Sequence, residues 1–299
     1  MRIVIGIDDS PQASVGAKWV AELPLTAADE VRVASIVERP VVIGPWGYIQ
    51  TDVTARYLAE AWEGAQDRAR LAAEEAAAAC AAMPCQVRVV VREGHPIDGL
   101  VRLVQEVGAD LVVVGPHGRG RLESILLGSV SQALLHAMPA SVLIAREPVS
   151  APLRVLLATD GSPHSLDAAL YLARFPLTPQ ARIEVLTAIC AWSGGYAEYG
   201  AADLRDVVAH ERRRAVEVID AALEALEAGG KTGTPLIRHG DPKREILAAA
   251  RELAADLIVT GARGVGGFRG LVLGSVSRAV SKAAPCSTLV VAHGAASTT

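Results

Sequence analysis

The residues best placed to do chemistry in this chain are glycines, and their spacing occurs twice. Gly115-x-x-Gly118, nine residues, then Gly128-Ser129 is matched by Gly261-x-x-Gly264, nine residues, then Gly274-Ser275. Each copy follows an apolar run, Leu111 to Val114 or Leu257 to Thr260. Each precedes an apolar stretch at helical spacing: Val130, Ala133, Leu134 and Ala137, or Val276, Ala279, Val280 and Ala283. The pattern reads strand, glycine loop, helix. Such a loop brings bare backbone N–H groups close to a phosphate, and the helix N-terminus adds unpaired donors and partial positive charge. The chemistry expected is the binding of nucleotide phosphates, or descent from a chain that bound them.

Catalytic equipment is thin by comparison. The sequence holds no Ser-His-Asp spacing, no zinc motif and no S-G-G-x-D-S loop. The four cysteines, Cys80, Cys85, Cys190 and Cys286, have no C-x-x-C spacing and read as buried thiols in a reducing compartment. Ala225 to Thr232 fits a loose phosphate-loop pattern, but it follows a long helix and leads into a strand. It reads as a helix C-terminus built on Gly229 and Gly230. Arg212, Arg213 and Arg214, flanked by Glu211 and Glu217, read as a solvated helix face. His117 and His95 fall in loops near the expected crevice, where His117 is a candidate phosphate or adenine contact.

The elements that must position these loops repeat as well. Arg2 to Pro11 aligns with Arg154 to Pro163, each an apolar strand ending in an aspartate, Asp8 or Asp160. Ser10 or Ser162 then serves as N-cap with proline at the first helical position. Strands follow at Val31 to Val37 and Ile183 to Ile189, and less regular segments at Pro40 to Thr51 and Trp192 to Ala202. Long helices are expected near Val53 to Ala82 and Asp203 to Ala228, and third strands near Val87 to Arg92 and Pro235 to Arg238. Helices near Pro96 to Val107 and Pro242 to Leu253 lead into the fourth strands and glycine loops. Last strands, Ser141 to Ala145 and Ser287 to Ala292, close each half.

Alternation of this kind, with strands too apolar to face water, predicts an α/β fold of two similar open, doubly wound, parallel five-stranded sheets. The expected domains are residues 1–147 and 153–294, joined by the short linker Glu147 to Pro152. Ligands of such sheets sit beyond the carboxyl ends of the strands, where strand order reverses. That rule brings Asp8 to Gly115, and Asp160 to Gly261.

The chain has 299 residues, 51% hydrophobic and 4% aromatic, with 29 basic and 33 acidic side chains for a net charge of -4. This balance suits a foldable core and disfavours nucleic-acid binding. No apolar run is long enough to span a bilayer, and a strand beginning at Met1 leaves no room for a signal peptide. The expectation is a cytoplasmic protein with no membrane contact.

The strand ending in Asp-(Gly)-Ser, the G-x-x-G-x9-G-S loop and the Ser-Val-Ser after it resemble the universal stress protein family, in tandem over nearly the whole chain. The resemblance implies a Rossmann-like, adenine nucleotide alpha-hydrolase-like fold and an ATP-binding regulatory protein of stress adaptation, with at most slow ATPase activity. It implies Mg²⁺ held through phosphate, an intramolecular pseudo-dimer of the halves through the last strands near the sheet edges, and a possible homodimer. Carried over by position, the first site comprises Asp8, Ile36, Gly115, Gly118, Gly128, Ser129, Val130 and Ser131. The second comprises Asp160, Ala188, Gly261, Gly264, Gly274, Ser275, Val276 and Ser277. The aspartate and a main-chain group of strand two would hold adenosine; the glycine loop and hydroxyls would hold the phosphates.

The loops differ. Half one carries Arg119, Arg121 and Glu123 where half two has Arg269 in place of Glu123, with Gly266, Gly267 and Gly270 around it. Pro116 removes one backbone donor from the first loop. Half two is therefore the expected tighter site. Two other readings stay open: a slow ATP hydrolase or adenylyl-handling enzyme in the same crevice, and a non-binding interaction protein with relic loops.

Overall fold

The computed structural model describes the backbone of residues 1–10, 14–41, 43–44, 47–48, 52–117, 127–149, 151–190, 201–264 and 273–295. Half one runs β1 (Arg2–Ile7), α1 (Ser14–Ala21), β2 (Glu30–Val37), a short antiparallel pair β3 (Ile43–Gly44) and β4 (Gly47–Tyr48), α2 (Asp52–Ala79), β5 (Gln86–Glu93), α3 (Pro96–Val107), β6 (Leu111–Val114), α4 (Ser129–Ala137) and β7 (Ser141–Ile144). Half two repeats the plan as β8 (Arg154–Ala158), α5 (Pro163–Arg174), β9 (Arg182–Ile189), α6 (Ala201–Ala228), β10 (Thr234–His239), α7 (Pro242–Glu252), β11 (Leu257–Gly261), α8 (Ser275–Ala283) and β12 (Ser287–Val291).

Apart from the β3–β4 pair, the strands of each half are parallel, in the orders β5-β2-β1-β6-β7 and β10-β9-β8-β11-β12. Strand order reverses between β1 and β6, and between β8 and β11, as the doubly wound expectation requires. The halves do not remain two sheets. β7 pairs antiparallel with β12, Leu143 opposite Leu289, and fuses them into one sheet of ten strands. The last strands, expected near edges, thus lie at the centre. Val142, Leu143, Leu289 and Val290 are completely buried there, a sequence that an open edge would expose to unwanted pairing. Because the seam is antiparallel, the carboxyl ends of the two halves open on opposite rims of the sheet.

The true edges are β5 and β10, and no residue of either is fully buried. Uniform apolarity therefore fails as a description of these two strands. Arg88 is exposed on β5, as suits an edge that must resist further pairing.

Helices α1, α2, α5 and α6 cover one face over a single core that runs across the seam. It joins Ile3, Ile5 and Val33 to Val155, Leu157 and Val185. Trp19 of half one meets Phe175 of half two with ring centroids 6.4 Å apart. The Tyr171 hydroxyl donates to the Asp110 carbonyl at 3.3 Å. On the other face, α3 and α4 bury Leu103 and Leu134 in a core that also takes in Ala262, Leu273 and Val290 from half two. α7 and α8 bury Ile246 and Val280 over a third. Among the described residues, no helix is long and apolar enough to cross a membrane.

The caps follow the sequence in half two: Ser162 accepts from Ser165 N, with Pro163 opening α5. Pro11 lies outside the described residues. α6 ends at Ala228, Gly230 adopts a left-handed φ of 74°, and the Lys231 ammonium donates to the Ala173 carbonyl. This is a helix C-terminus and not a phosphate loop. Cys80, Cys85 and Cys286 are buried, and burial pushes Cys80 up to about 11 and Cys286 up to about 12. Cys190 is exposed, contrary to the reading of all four as buried.

Candidate functional site

In half two, β8 ends at Ala158 and leads directly into Thr159-Asp160, and the neighbouring β11 ends on Gly261, at the point of strand reversal. A cavity of about 610 Å³ opens there, inside the range of small-molecule sites. All eight residues expected for this half line it: Asp160, Ala188, Gly261, Gly264, Gly274, Ser275, Val276 and Ser277. An apolar wall comes from Leu186 on β9, Ala215 and Val218 on α6, and Ile246 on α7. Among the described residues the charged lining comprises Asp160, Glu211, Arg214 and Arg263.

The glycines are there because backbone comes close. A methyl group on Gly264 would strike the Asp160 carboxylate, and one on Gly261 would strike the His164 carbonyl at the start of α5. One on Gly274 would lie 3.2 Å from Arg263 Cα. The Gly274 N–H donates to the Ala262 carbonyl at 2.7 Å and closes the base of the loop. Among the described residues no side chain caps α8, whose first residues Ser275 and Val276 line the cavity. The free N–H donors of a helix start and the helix dipole suit an anion.

The serine hydroxyls divide in role. Ser275 is exposed at the helix start, but Ser277 is buried and its hydroxyl donates to the Gly261 carbonyl at 2.6 Å. Ser131 does the same to Gly115 at 2.7 Å. A phosphate-donor role for these two hydroxyls is therefore corrected: they tie the loop to the end of the fourth strand.

Half one keeps the same frame with different support. Asp8 accepts from Ser10 N at 3.1 Å and Asp160 from Ser162 N at 3.0 Å. Gly128 donates to Pro116 as Gly274 does to Ala262, and Ser129 and Val130 open α4 with no side-chain cap. Ile36 lies on β2 with its side chain against Gly99 of α3. Gly118, Arg119, Arg121 and Glu123 lie outside the described residues, as do Gly266, Gly267, Arg269 and Gly270.

Under Asp160, half two has a hydroxyl network. Thr159 Oγ1 meets Ser165 Oγ at 3.1 Å, Ser165 Oγ donates to the Ser162 carbonyl at 2.9 Å, and Ser162 Oγ donates to the Arg263 carbonyl at 3.3 Å. Strand one is thereby fastened to the glycine loop. At the matching positions half one has Ile7 and Ala13, and Ser10 Oγ is buried with no hydrogen-bond partner among the described residues. His117 stands where half two has Arg263, its Nδ1 likewise buried and unpartnered.

The sequence reading missed Arg214 and Glu211, which stand on the rim of the cavity, and Cys190, which lines it. Arg214 is exposed as expected, but no motif distinguishes a rim arginine from a solvated one. Thr159 and Ser165 stand where half one has Ile7 and Ala13, a difference between the halves that the sequence reading did not weigh.

The close approaches yield a stability contrast. Gly261→Ala is expected to destabilise the chain by about 1–3 kcal/mol, since the methyl meets backbone that cannot step aside. Gly115→Ala should stay within about 1 kcal/mol, because among the described residues its methyl meets only the His117 carbonyl, at 3.5 Å. Urea titration of both variants measures the difference, and equal midpoints would contradict the packing argument.

Comparison with known proteins agrees with this architecture. The family model described as "Universal stress protein family" matches residues 1–146 and again 153–292. Universal stress protein Rv2623 of Mycobacterium tuberculosis is 30% identical over 316 residues, covering 97% of this chain and 96% of its own. A universal stress protein of Mycolicibacterium smegmatis is 27% identical over 97% of this chain and 96% of its own. Among solved structures, a universal stress protein from Archaeoglobus fulgidus shares the fold with a TM-score of 0.64 and 22% identity, over 98% of both chains. Two matches of one family model, laid over two copies of one doubly wound plan, place this chain in the universal stress protein family as a tandem of two such domains.

Proposed function

We propose that the chain is an ATP-binding regulatory protein of stress adaptation, and that the half-two crevice is its principal nucleotide site. The observation that carries this reading is the gathering of all eight expected residues of that half around one cavity. Asp160 would accept from the ribose hydroxyls, the main chain at Ala188 would meet adenine between Leu186 and Ile246, and the Gly264 to Val276 segment would receive the phosphates. Mg²⁺ would arrive with the triphosphate. The half-one residues Asp8, Ile36, Gly115, Gly128, Ser129, Val130 and Ser131 offer the same frame without the hydroxyl network, so half one is the weaker or relic site.

Nucleotide occupancy is the regulatory signal in this reading, and the protein is not an enzyme. Among the described residues the lining offers two carboxylates, Asp160 and Glu211, two arginines, the Cys190 thiol and the glycine loop, with no histidine to serve as a base. The test is to denature freshly purified protein, identify the released small molecules by mass spectrometry, and titrate the stripped chain with ATP·Mg²⁺. About one ATP per chain is expected, and bound ATP should slow alkylation of Cys190, which is exposed and lines the crevice. No nucleotide and no protection would leave an interaction protein with relic loops. Rapid turnover of ATP would make the chain an enzyme instead.

A further inference from the structure

Outside the nucleotide crevice, half two gathers a second set of polar groups. His164 and Asp167 sit three residues apart on the first turns of α5, and so project from one side of that helix. His293 follows the end of β12, the strand against which α5 packs. One ligand atom from each of the three lies within 4.8 Å of the others. None of the three lines the crevice.

We propose that His164, Asp167 and His293 form a binding site for one divalent transition-metal cation, Zn²⁺ by the chemistry of its donors. Two imidazoles and a carboxylate are a zinc donor set, with a water in the fourth position. The ligand atoms need approach only to the roughly 3.4 Å edge of a tetrahedron with ~2.1 Å bonds, a change within reach of side-chain rotation.

Three independent features point to a cation. His164 Nδ1 is buried and has no hydrogen-bond partner among the described residues, so the ring holds an unmet polar atom. The rings of His164 and His293 stand 4.5 Å apart between centroids, close enough that two imidazolium charges would repel, whereas two neutral rings can share a cation. Asp167 Oδ2 accepts from the Gly294 N–H at 3.2 Å and lies 2.6 Å from His293 Nδ1. That arrangement fixes the carboxylate beside the ring, so the two present their ligand atoms together.

The matching positions of half one are Gln12, Val15 and Glu147, so the site belongs to half two alone. The test uses the full-length, tag-free chain in a Cys190→Ser background, so that the exposed thiol contributes nothing. Titration with Zn²⁺ by calorimetry should give one ion per chain. Co²⁺ should give the visible bands of a tetrahedral N/O site, abolished by added Zn²⁺. His164→Ala, His293→Ala and Asp167→Asn each alter a direct ligand and should each weaken Zn²⁺ at least about tenfold. His136→Ala, on a remote helix, should leave it unchanged. His293 is largely exposed, so its variant folds whatever the fate of the others. Absence of a tetrahedral Co²⁺ spectrum, or a Zn²⁺ affinity that His293→Ala leaves intact, would overturn the site.

Discussion

Asp160→Ala is expected to lower the affinity of the chain for ATP between about 10- and 100-fold, while Asp8→Ala changes it less than about threefold. The first figure is what a hydrogen bond to a charged acceptor contributes, about 1.5–3 kcal/mol, at roughly 1.4 kcal/mol per tenfold. The asymmetry comes from what stands behind each carboxylate. Asp160 lies against Gly264, on a strand fastened to the glycine loop by Thr159, Ser165 and Ser162. Asp8 has Ile7 and Ala13 at the Thr159 and Ser165 positions. The competing role for Asp160 is structural, since its Oδ1 accepts from Ser162 N at the entry to α5. Asp160→Asn separates the two roles, because an amide oxygen still accepts from Ser162 N but carries no charge. Calorimetric titration of the three variants, with melting curves alongside, is decisive. If Asp8→Ala weakens ATP as much as Asp160→Ala, half two is not the principal site. If Asp160→Ala weakens folding but not ATP, the aspartate is a cap.

Glycine spacing was legible because few residues tolerate backbone approaches of this kind. Gly261 and Gly264 each face atoms that a side chain would strike, so their pattern survives where flanking residues differ. Strand alternation likewise predicted the order of elements in each half. What the sequence could not reveal depended on relations between elements. Val142 and Val290 are apolar whether they close a domain or pair across a seam, so nothing local predicted a fused sheet. Ser131 and Ser277 stand where phosphate donors are expected, and only their distances to Gly115 and Gly261 show them bonded inward. Arg214 looked like its neighbours Arg212 and Arg213 until α6 was placed over the crevice. His164, Asp167 and His293 span more than a hundred residues in an order that matches no zinc motif.

The fused sheet leads to the other large effect. Phe175→Ala is expected to cost about 3–5 kcal/mol and to lower the melting temperature of both halves together. Phe175 is completely buried at the end of α5, packed on Trp19 of half one and 5.9 Å between ring centroids from Tyr171. Tyr171 in turn reaches the Asp110 carbonyl of half one, the residue that receives the Arg2 N–H at the start of β1. A cavity at Phe175 thus opens into a core that belongs to neither half alone. Further ties cross the seam, among them the β7–β12 ladder, Arg146, which donates to the Cys286 carbonyl at 3.2 Å, and the Ala292 N–H, which donates to Ser141 Oγ at 3.3 Å. Leu273, just ahead of α8 and on the crevice lining, packs in the half-one core. Separate melting of the halves would therefore expose apolar surface on each, and the favoured route is a single cooperative transition. Differential scanning calorimetry measures this directly. One transition with a calorimetric to van't Hoff enthalpy ratio of about 1, shifted as a whole by Phe175→Ala, is the expected result. Two transitions, with only the later half displaced, would mean that the halves fold independently and that the shared core contributes little. In the cooperative case the half-two crevice inherits its rigidity from half one, which gives the first domain a structural reason to persist even where its own loop binds nucleotide weakly.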